Sequence, residues 1–174
     1  MTKIIALLSR SFRRASAGFT VVELVVLVAI IAILSAIGFP LYLSYSRAQE
    51  TDSAARVIVV ALNQARQIAV TRGTSFSIET QTNPNNRMRF CSGLVVPCPG
   101  GQVYTGAETD TNGWRTLENG SRITAGPTIT FSSLGAATVS GILRVQNSSA
   151  TGSLDICVSP SGRIKVQAVG SACP

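Results

Sequence analysis

Apolar residues follow three successive patterns along the chain, and the first is an unbroken run near the N-terminus. No charged residue occurs between Leu24 and Phe39, and only Ser35 and Gly38 depart from large apolar residues or alanine. The 20 residues Leu24–Leu43 would be about 30 Å long as a helix, which is enough to cross the hydrocarbon core of a bilayer. The run therefore predicts a membrane-spanning helix.

The second pattern has the spacing of an amphipathic helix. Small or apolar residues recur every three or four positions and form one stripe, made up of Val57, Leu62, Ala54, Ile58, Ala61, Ala65, Ile68 and Ala69. Gly73 directly follows Arg72 and is a typical helix terminator. Pro40 is expected to kink the helix without ending it, as membrane helices tolerate. We predict one helix from about Phe19 to Arg72, roughly 80 Å long, whose second half packs against a sheet.

The third pattern begins after Gly73 and consists of short β-like runs separated by turns rich in Gly, Pro, Asn and Ser. The predicted strands are Ser75–Thr80, Met88–Cys91, Gly113–Leu117, Ile123–Ala125, Thr128–Phe131, Gly141–Gln146, Leu154–Val158 and Arg163–Val169. About 100 residues of β structure beside one long helix predict an α+β fold.

The charge balance changes along the chain. Four of the 15 basic residues precede the apolar run, namely Lys3, Arg10, Arg13 and Arg14. By the positive-inside rule they predict a cytoplasmic N-terminus for a single-pass anchor. Without residues 1–18 the net charge falls from +7 to +3, with 11 basic against 8 acidic residues. That remainder is too weakly basic to indicate a polyanionic partner by itself.

Two features near the N-terminus do not fit a conventional secretory signal peptide or a plain anchor. The small residues Ala15–Gly18 precede the apolar run, whereas a signal-peptide cleavage site follows it. Glu23 places a carboxylate at the edge of the membrane helix, where an unpaired charge is costly. No basic residue lies on the same helix face within five turns, so a free α-amino group of a neighbouring copy is a suitable partner.

The segment from Gly18 to Leu24, with its short basic leader and following apolar run, resembles the class III signal of type IV pilins and pseudopilins. The resemblance implies cleavage after Gly18 by prepilin peptidase, methylation of the new N-terminal Phe19, and pairing of Glu23 with a neighbour's amine during assembly. Pro40 also lies where such pilins usually carry a proline. The expected organisation is a cleaved leader (1–18), a transmembrane or filament-core helix (19–43), its amphipathic second half (44–73) and a β-rich globular domain (74–174).

Four later segments, in order, are similar to landmarks of the GspH/FimT family: 62–73, 114–117, 129–135 and 156–163. The resemblance implies a pilin-like fold and a minor pilin, which primes or caps a type IV pilus filament, or a minor pseudopilin of type II secretion. It implies insertion in the bacterial inner membrane with a periplasmic globular domain, then a place in the pilus or pseudopilus. The expected partners are other pilins, prepilin peptidase and the inner membrane.

The four cysteines, Cys91, Cys98, Cys157 and Cys173, allow three disulfide pairings. Local pairing, Cys91 with Cys98 and Cys157 with Cys173, is the simplest hypothesis for a domain in an oxidising compartment. A zinc site built from all four is the alternative, but no C-x2-C pair is present. Disulfides are favoured, and no metal is expected.

Arg163 and Lys165 follow a Pro-Ser-Gly turn at a spacing of two, so in a strand both side chains share one face. They and the backbone N–H groups of the turn could contact adjacent phosphates of double-stranded DNA. In FimT-type members a Gly-Arg-x-Arg motif here is associated with DNA binding during natural transformation, whereas this chain has lysine at the second position. The alternatives are a structural turn on a solvated strand, or a secretion pseudopilin without DNA binding. Five further arginines, whose placement the sequence leaves open, could extend a basic patch: Arg87, Arg89, Arg115, Arg122 and Arg144.

Catalytic chemistry finds little support in the sequence. The chain contains no histidine, which is the commonest general base and metal ligand. The carboxylates of Glu79, Glu118 and Asp155 are isolated from one another in sequence. We expect a non-enzymatic protein with no catalytic residues and no cofactor.

Overall fold

A computed structural model describes residues 19–82, 84–93, 98, 103–106, 109–117 and 120–173. The predicted leader, including Gly18, and part of the predicted turn region between the strands Met88–Cys91 and Gly113–Leu117 lie outside these residues. The chain divides into two compact units, residues 1–41 and 42–174.

One helix, α1 (Val21–Arg72, 52 residues), contributes to both units and continues through Pro40. Its N-terminus is capped by Thr20, whose Oγ1 accepts a 3.2 Å hydrogen bond from the backbone N–H of Glu23. At the other end, Gly73 has a φ of 64°. The N–H groups of Gly73 and Thr74 donate to the carbonyls of Val70 (3.3 Å) and Ala69 (3.2 Å). This Schellman motif explains why the predicted end at Arg72 holds.

The strands form two antiparallel sheets in the second unit. The first sheet has the order β3-β2-β1-β6-β7, with β4 paired to β2. Its strands are β1 (Phe76–Gln81), β2 (Arg87–Ser92), β3 (Val103–Tyr104), β4 (Trp114–Thr116), β6 (Ile129–Phe131) and β7 (Ala137–Val139). The second sheet has the order β10-β9-β8-β5, with strands β5 (Arg122–Ala125), β8 (Gly141–Gln146), β9 (Ser153–Val158) and β10 (Ile164–Ala168).

The core of the second unit lies between the second half of α1 and both sheets. The buried helix residues are Thr51, Ala54, Ala55, Ile58, Ala61, Leu62, Ala65 and Ala69. Because five of them are alanines, the helix backbone approaches the strands closely. Phe76, Ile78 and Phe131 of the first sheet join Leu143 and Ile156 of the second in the same cluster. The predicted α+β fold, with a long helix on antiparallel sheets, is confirmed.

Two short strands, β3 and β7, were not predicted. Each has two or three residues, which is too short for alternation to show in the sequence. They are defined by their pairing, β3 with β2 and β7 with β6. Local sequence does not encode such pairing.

Candidate functional site

The first half of α1 exposes its large apolar side chains on every side. Between Val21 and Leu41 their exposed fractions run from 44% at Leu27 to 78% at Val21. Within the described residues, α1 is the one helix that could cross a membrane by length and composition, and its most apolar window has no buried residue. A helix that is apolar all round requires lipid or other apolar helices around it.

Glu23 lies in the first turn of α1, next to the exposed Phe19 and the capping Thr20. A carboxylate in this turn interacts favourably with the positive end of the helix dipole. Among the described residues, no cationic group pairs with the Glu23 side chain. The structure therefore leaves this carboxylate exposed at the head of an apolar helix, where a partner from outside the chain can reach it.

A loop between β8 and β9 binds the start of the second half of α1. Asn147 is completely buried there. Its Oδ1 accepts hydrogen bonds from the N–H groups of Thr151 (2.9 Å) and Gly152 (3.3 Å). Ser148 N–H donates to Glu50 Oε1 at 2.8 Å. The sequence predicts only a turn between the strands 141–146 and 154–158. The contacts of this loop with α1 join residues about 100 positions apart, so no local pattern could reveal them.

The structure joins Cys91 to Cys98 and Cys157 to Cys173. Each bond joins a buried cysteine of a strand, Cys91 of β2 or Cys157 of β9, to a cysteine outside the strands. The alternative of one site with four cysteines has no support here, because the cysteines form two separate pairs. Glu79 lies within 4.8 Å of Cys91 and Cys98 in ligand-atom distance, but sulfurs bonded to each other are not thiolate ligands.

Beside the first disulfide lies the nearly buried carboxylate of Glu79 on β1. Arg89 Nε donates to Glu79 Oε2 at 2.7 Å, and the backbone N–H of Cys98 approaches the same oxygen at 3.4 Å. The carboxylate thus contacts both the neighbouring strand and the segment that the disulfide tethers.

The second sheet has the same arrangement around Asp155 on β9, which is fully buried. Arg144 on β8 donates to both carboxylate oxygens, at 2.7 and 2.9 Å, and the N–H of Gly170 donates at 3.1 Å. These hydrogen bonds, above all those from Arg144, lower the pKa of Asp155, against the effect of burial. Asp155 therefore holds the C-terminal segment against the sheet that Cys173 also reaches.

The structure places Arg163 and Lys165 at one end of β10, an edge strand of the second sheet. Arg163 precedes the strand rather than opening it, because its carbonyl closes the turn by accepting from Ser159 N–H at 3.0 Å. Lys165 pairs with Cys157 across the strands. Both side chains are exposed, and neither makes an ion pair with any residue that the structure describes.

The five arginines considered for a wider patch do not gather around this turn. Arg87 and Arg89 stack on Trp114, with guanidinium carbons 4.3 and 4.4 Å from the ring centroid. Arg144 is held by Asp155. Arg115 lies on β4 of the first sheet, and Arg122 lies on β5, at the opposite edge of the second sheet from β10.

Arg66 is the basic residue that sequence reasoning missed. The helical pattern places it on the polar side of α1. In the structure it is half-buried and lies beside the turn that precedes Arg163. Arg66 and this turn are neighbours only because the turn packs on the helix.

Comparisons with known proteins agree with this architecture. The family model described as Type II transport protein GspH matches residues 54–162, more than half of the chain. One similar solved structure is the Pseudomonas aeruginosa PAO1 type IV minor pilin FimU, which is 17% identical in sequence. Its alignment covers 67% of this chain and 91% of the FimU chain, with a TM-score of 0.50. The Vibrio cholerae minor pseudopilin EpsH of the Type 2 Secretion System is 15% identical, with 70% and 99% coverage and a TM-score of 0.51. No curated protein sequence matches the chain.

The family match covers the end of the helix and most of the β-rich domain, up to residue 162, and the two solved structures have a fold similar to that of this chain over the aligned part. The predicted resemblance to the GspH/FimT family is confirmed. The chain belongs to the GspH family and has the fold of the minor pilins and minor pseudopilins.

Proposed function

We propose that the chain is a minor pilin or minor pseudopilin that joins an extracytoplasmic filament through its N-terminal helix. The observation that carries this proposal is the first half of α1, whose apolar side chains are exposed all round. The second unit has a core of its own that does not use them. Such a helix acts as a membrane anchor before assembly and as part of a helical filament core afterwards.

In this proposal Glu23 supplies the polar contact of assembly. Prepilin peptidase cleaves after Gly18, Phe19 becomes the N-terminus and is methylated, and its amine in one copy pairs with Glu23 of a neighbour. An ion pair surrounded by apolar helices is weakly screened, so it fixes the axial register of one subunit against the next. The protein would prime or cap the filament, with its globular domain outside the inner membrane.

Processing is the direct test of this proposal. The full chain is expressed with and without a prepilin peptidase, and the intact mass of the product is measured. We expect the mass to fall by the leader 1–18 only with the peptidase. Gly18→Val should block the change, whereas Ala15→Val, in the same leader, should not. An uncleaved wild-type chain would contradict the proposal.

DNA binding is a second candidate function, favoured by Arg163 and Lys165, which are exposed and make no ion pair with any described residue. The test is a mobility-shift titration with duplex DNA, using the processed full chain in a neutral detergent. Salt-sensitive micromolar binding that is lost in Arg163→Ala/Lys165→Ala would support a role in DNA uptake. Arg47→Ala/Arg56→Ala removes the same charge from exposed positions on α1 and should retain binding.

If the wild-type chain does not shift DNA at moderate salt, the Gly162–Arg163 turn is structural. The chain would then be an assembly-priming pilin or a type II secretion pseudopilin without DNA binding.

A further inference from the structure

Two hairpin turns from different sheets meet and support each other beside α1. The β6–β7 turn (132–135) is closed by Gly135 N–H donating to the Ser132 carbonyl at 2.9 Å. The β9–β10 turn (159–162) contacts it through Ala137 N–H, which donates to the Pro160 carbonyl at 3.0 Å. We call residues 132–137 and 159–163 the paired-turn tip.

Gly162 makes this pairing possible. Its φ is 80°, in the left-handed region, and a Cβ atom at this position would overlap the carbonyl oxygen of Gly135. The two turns are therefore in backbone contact, and their positions are fixed by main-chain atoms. What the tip presents is held rigidly, so little conformational entropy is lost when it binds a partner.

The tip presents one large apolar side chain to solvent, that of Leu134. Leu134 is 90% exposed, more than any other large apolar side chain among the described residues. A lone exposed leucine is ordinary on a protein surface. Leu134 differs from such residues because it lies on two turns in backbone contact and has basic neighbours.

Those neighbours are cationic. A Cβ atom on Gly135 would lie 3.0 Å from Arg66 Nε, and one on Gly162 would lie 3.4 Å from the same atom, so the Arg66 guanidinium group borders both turns. Arg163 directly follows Gly162. Within the described residues, neither arginine has an ion-pair partner. No acidic residue occurs in 132–137, in 159–165 or on α1 after Asp52.

We propose that the paired-turn tip contacts the minor groove of double-stranded DNA, with Leu134 inserted against a base step and Arg66 and Arg163 on the flanking phosphates. This inference rests on the proposed DNA binding by Arg163 and Lys165, and it adds Leu134 and Arg66 to the contact surface. Proteins that bind the minor groove use basic side chains there and frequently insert an apolar side chain between base steps. A protein partner is the weaker alternative, because leucine is under-represented among interface hot spots and unpaired arginines need an acidic surface.

The two kinds of contact have different salt signatures. A phosphate contact releases counterions, so Arg66→Gln should reduce the slope of log affinity against log salt by about one. Leu134 carries no charge, so Leu134→Ser should weaken binding about tenfold, through lost base-step contact, and leave the slope unchanged. Both are measured with the processed full chain in neutral detergent and a duplex carrying 2-aminopurine, whose fluorescence rises when a base step unstacks.

Matched controls are present in the chain. Val169 is 45% exposed and follows the far end of β10, so Val169→Ser should change neither affinity nor fluorescence. Arg56 is on α1, about 15 Å along the helix from Arg66, and Arg56→Gln should leave the salt slope within error. Thermal unfolding of each variant checks that the fold is intact.

Three results would overturn the inference. Absence of DNA binding by the wild-type chain removes it together with the DNA-binding candidate and leaves the assembly function standing. Binding that Arg163→Ala/Lys165→Ala abolishes but Leu134→Ser does not change removes the inference alone. Loss of filament incorporation in Leu134→Ser, with DNA binding intact, would make the tip a protein interface.

Discussion

The first half of α1 and the compact unit 42–174 are both rich in apolar side chains, but the first exposes them and the second buries them. Leu27 and Leu62 are the same residue type on the same helix, yet Leu27 is 44% exposed and Leu62 is completely buried. In the second unit the apolar face of the helix is small, rich in alanine and covered by two sheets. In the first half the apolar surface is large, continuous and uncovered. A surface that the chain does not cover itself is the surface available for lipid and for other subunits.

Substituting Leu62 and Leu27 by alanine should give the largest difference in stability between the two regions. Leu62→Ala should lower the free energy of unfolding by about 2–5 kcal/mol, because it leaves a cavity in the shared core. Leu27→Ala should change it by no more than about 0.5 kcal/mol. Denaturant unfolding of the full chain in neutral detergent, followed by the single tryptophan, Trp114, measures both. Equal effects would contradict the separation of the two units.

Removing the disulfides tests how far the second unit stabilises itself. Cys157 and Cys173 are 16 positions apart and Cys91 and Cys98 are 7 apart. The loop-entropy account predicts losses of about 3 and about 2.5 kcal/mol for the paired alanine variants. Peptide mapping of the unreduced protein by mass spectrometry checks the pairing itself. Cross-pairing between the two sheets would contradict the structure described here.

Acid should weaken the second unit through Asp155. Its pKa is lowered in the folded state, so its stabilising contribution is fully present above the ordinary value of about 3.9 and is lost as the pH falls through the folded pKa. We expect Asp155→Asn to lower the free energy of unfolding by about 1–2 kcal/mol at pH 7. The difference should vanish in strong acid. A pH-independent difference would show that the charge of Asp155 is not what matters.

Much of the fold could be predicted from the sequence because its signals are local. The helix end at Arg72 depends on Gly73, and β8 was predicted with its observed bounds because its apolar positions, Leu143 and Val145, alternate. The start of the helix was placed two residues early, because the capping role of Thr20 was not recognised. The strands β3 and β7 depend on partners elsewhere in the chain.

Some residues of the candidate sites can likewise be predicted from local motifs, and others depend on distant parts of the chain. Phe19, Glu23 and the pair Arg163 and Lys165 belong to short motifs, so the sequence could nominate them. Arg66 lies beside the turn that precedes Arg163 only because that turn packs on a helix almost 100 positions earlier. No pattern within one segment carries that information.

The central claim is that the first half of α1, with Glu23 at its head, joins the chain to other subunits. Its most direct test compares wild type, Glu23→Ala, Glu23→Asp and Thr20→Ala for incorporation into filaments sheared from cells that carry the matching assembly system. We expect Glu23→Ala to reduce incorporation more than tenfold, since losing one partner of a buried ion pair costs about 3–5 kcal/mol. Glu23→Asp should retain part of it, and Thr20→Ala, which removes only the helix cap, should change it little. Incorporation of Glu23→Ala at the wild-type level would contradict the account.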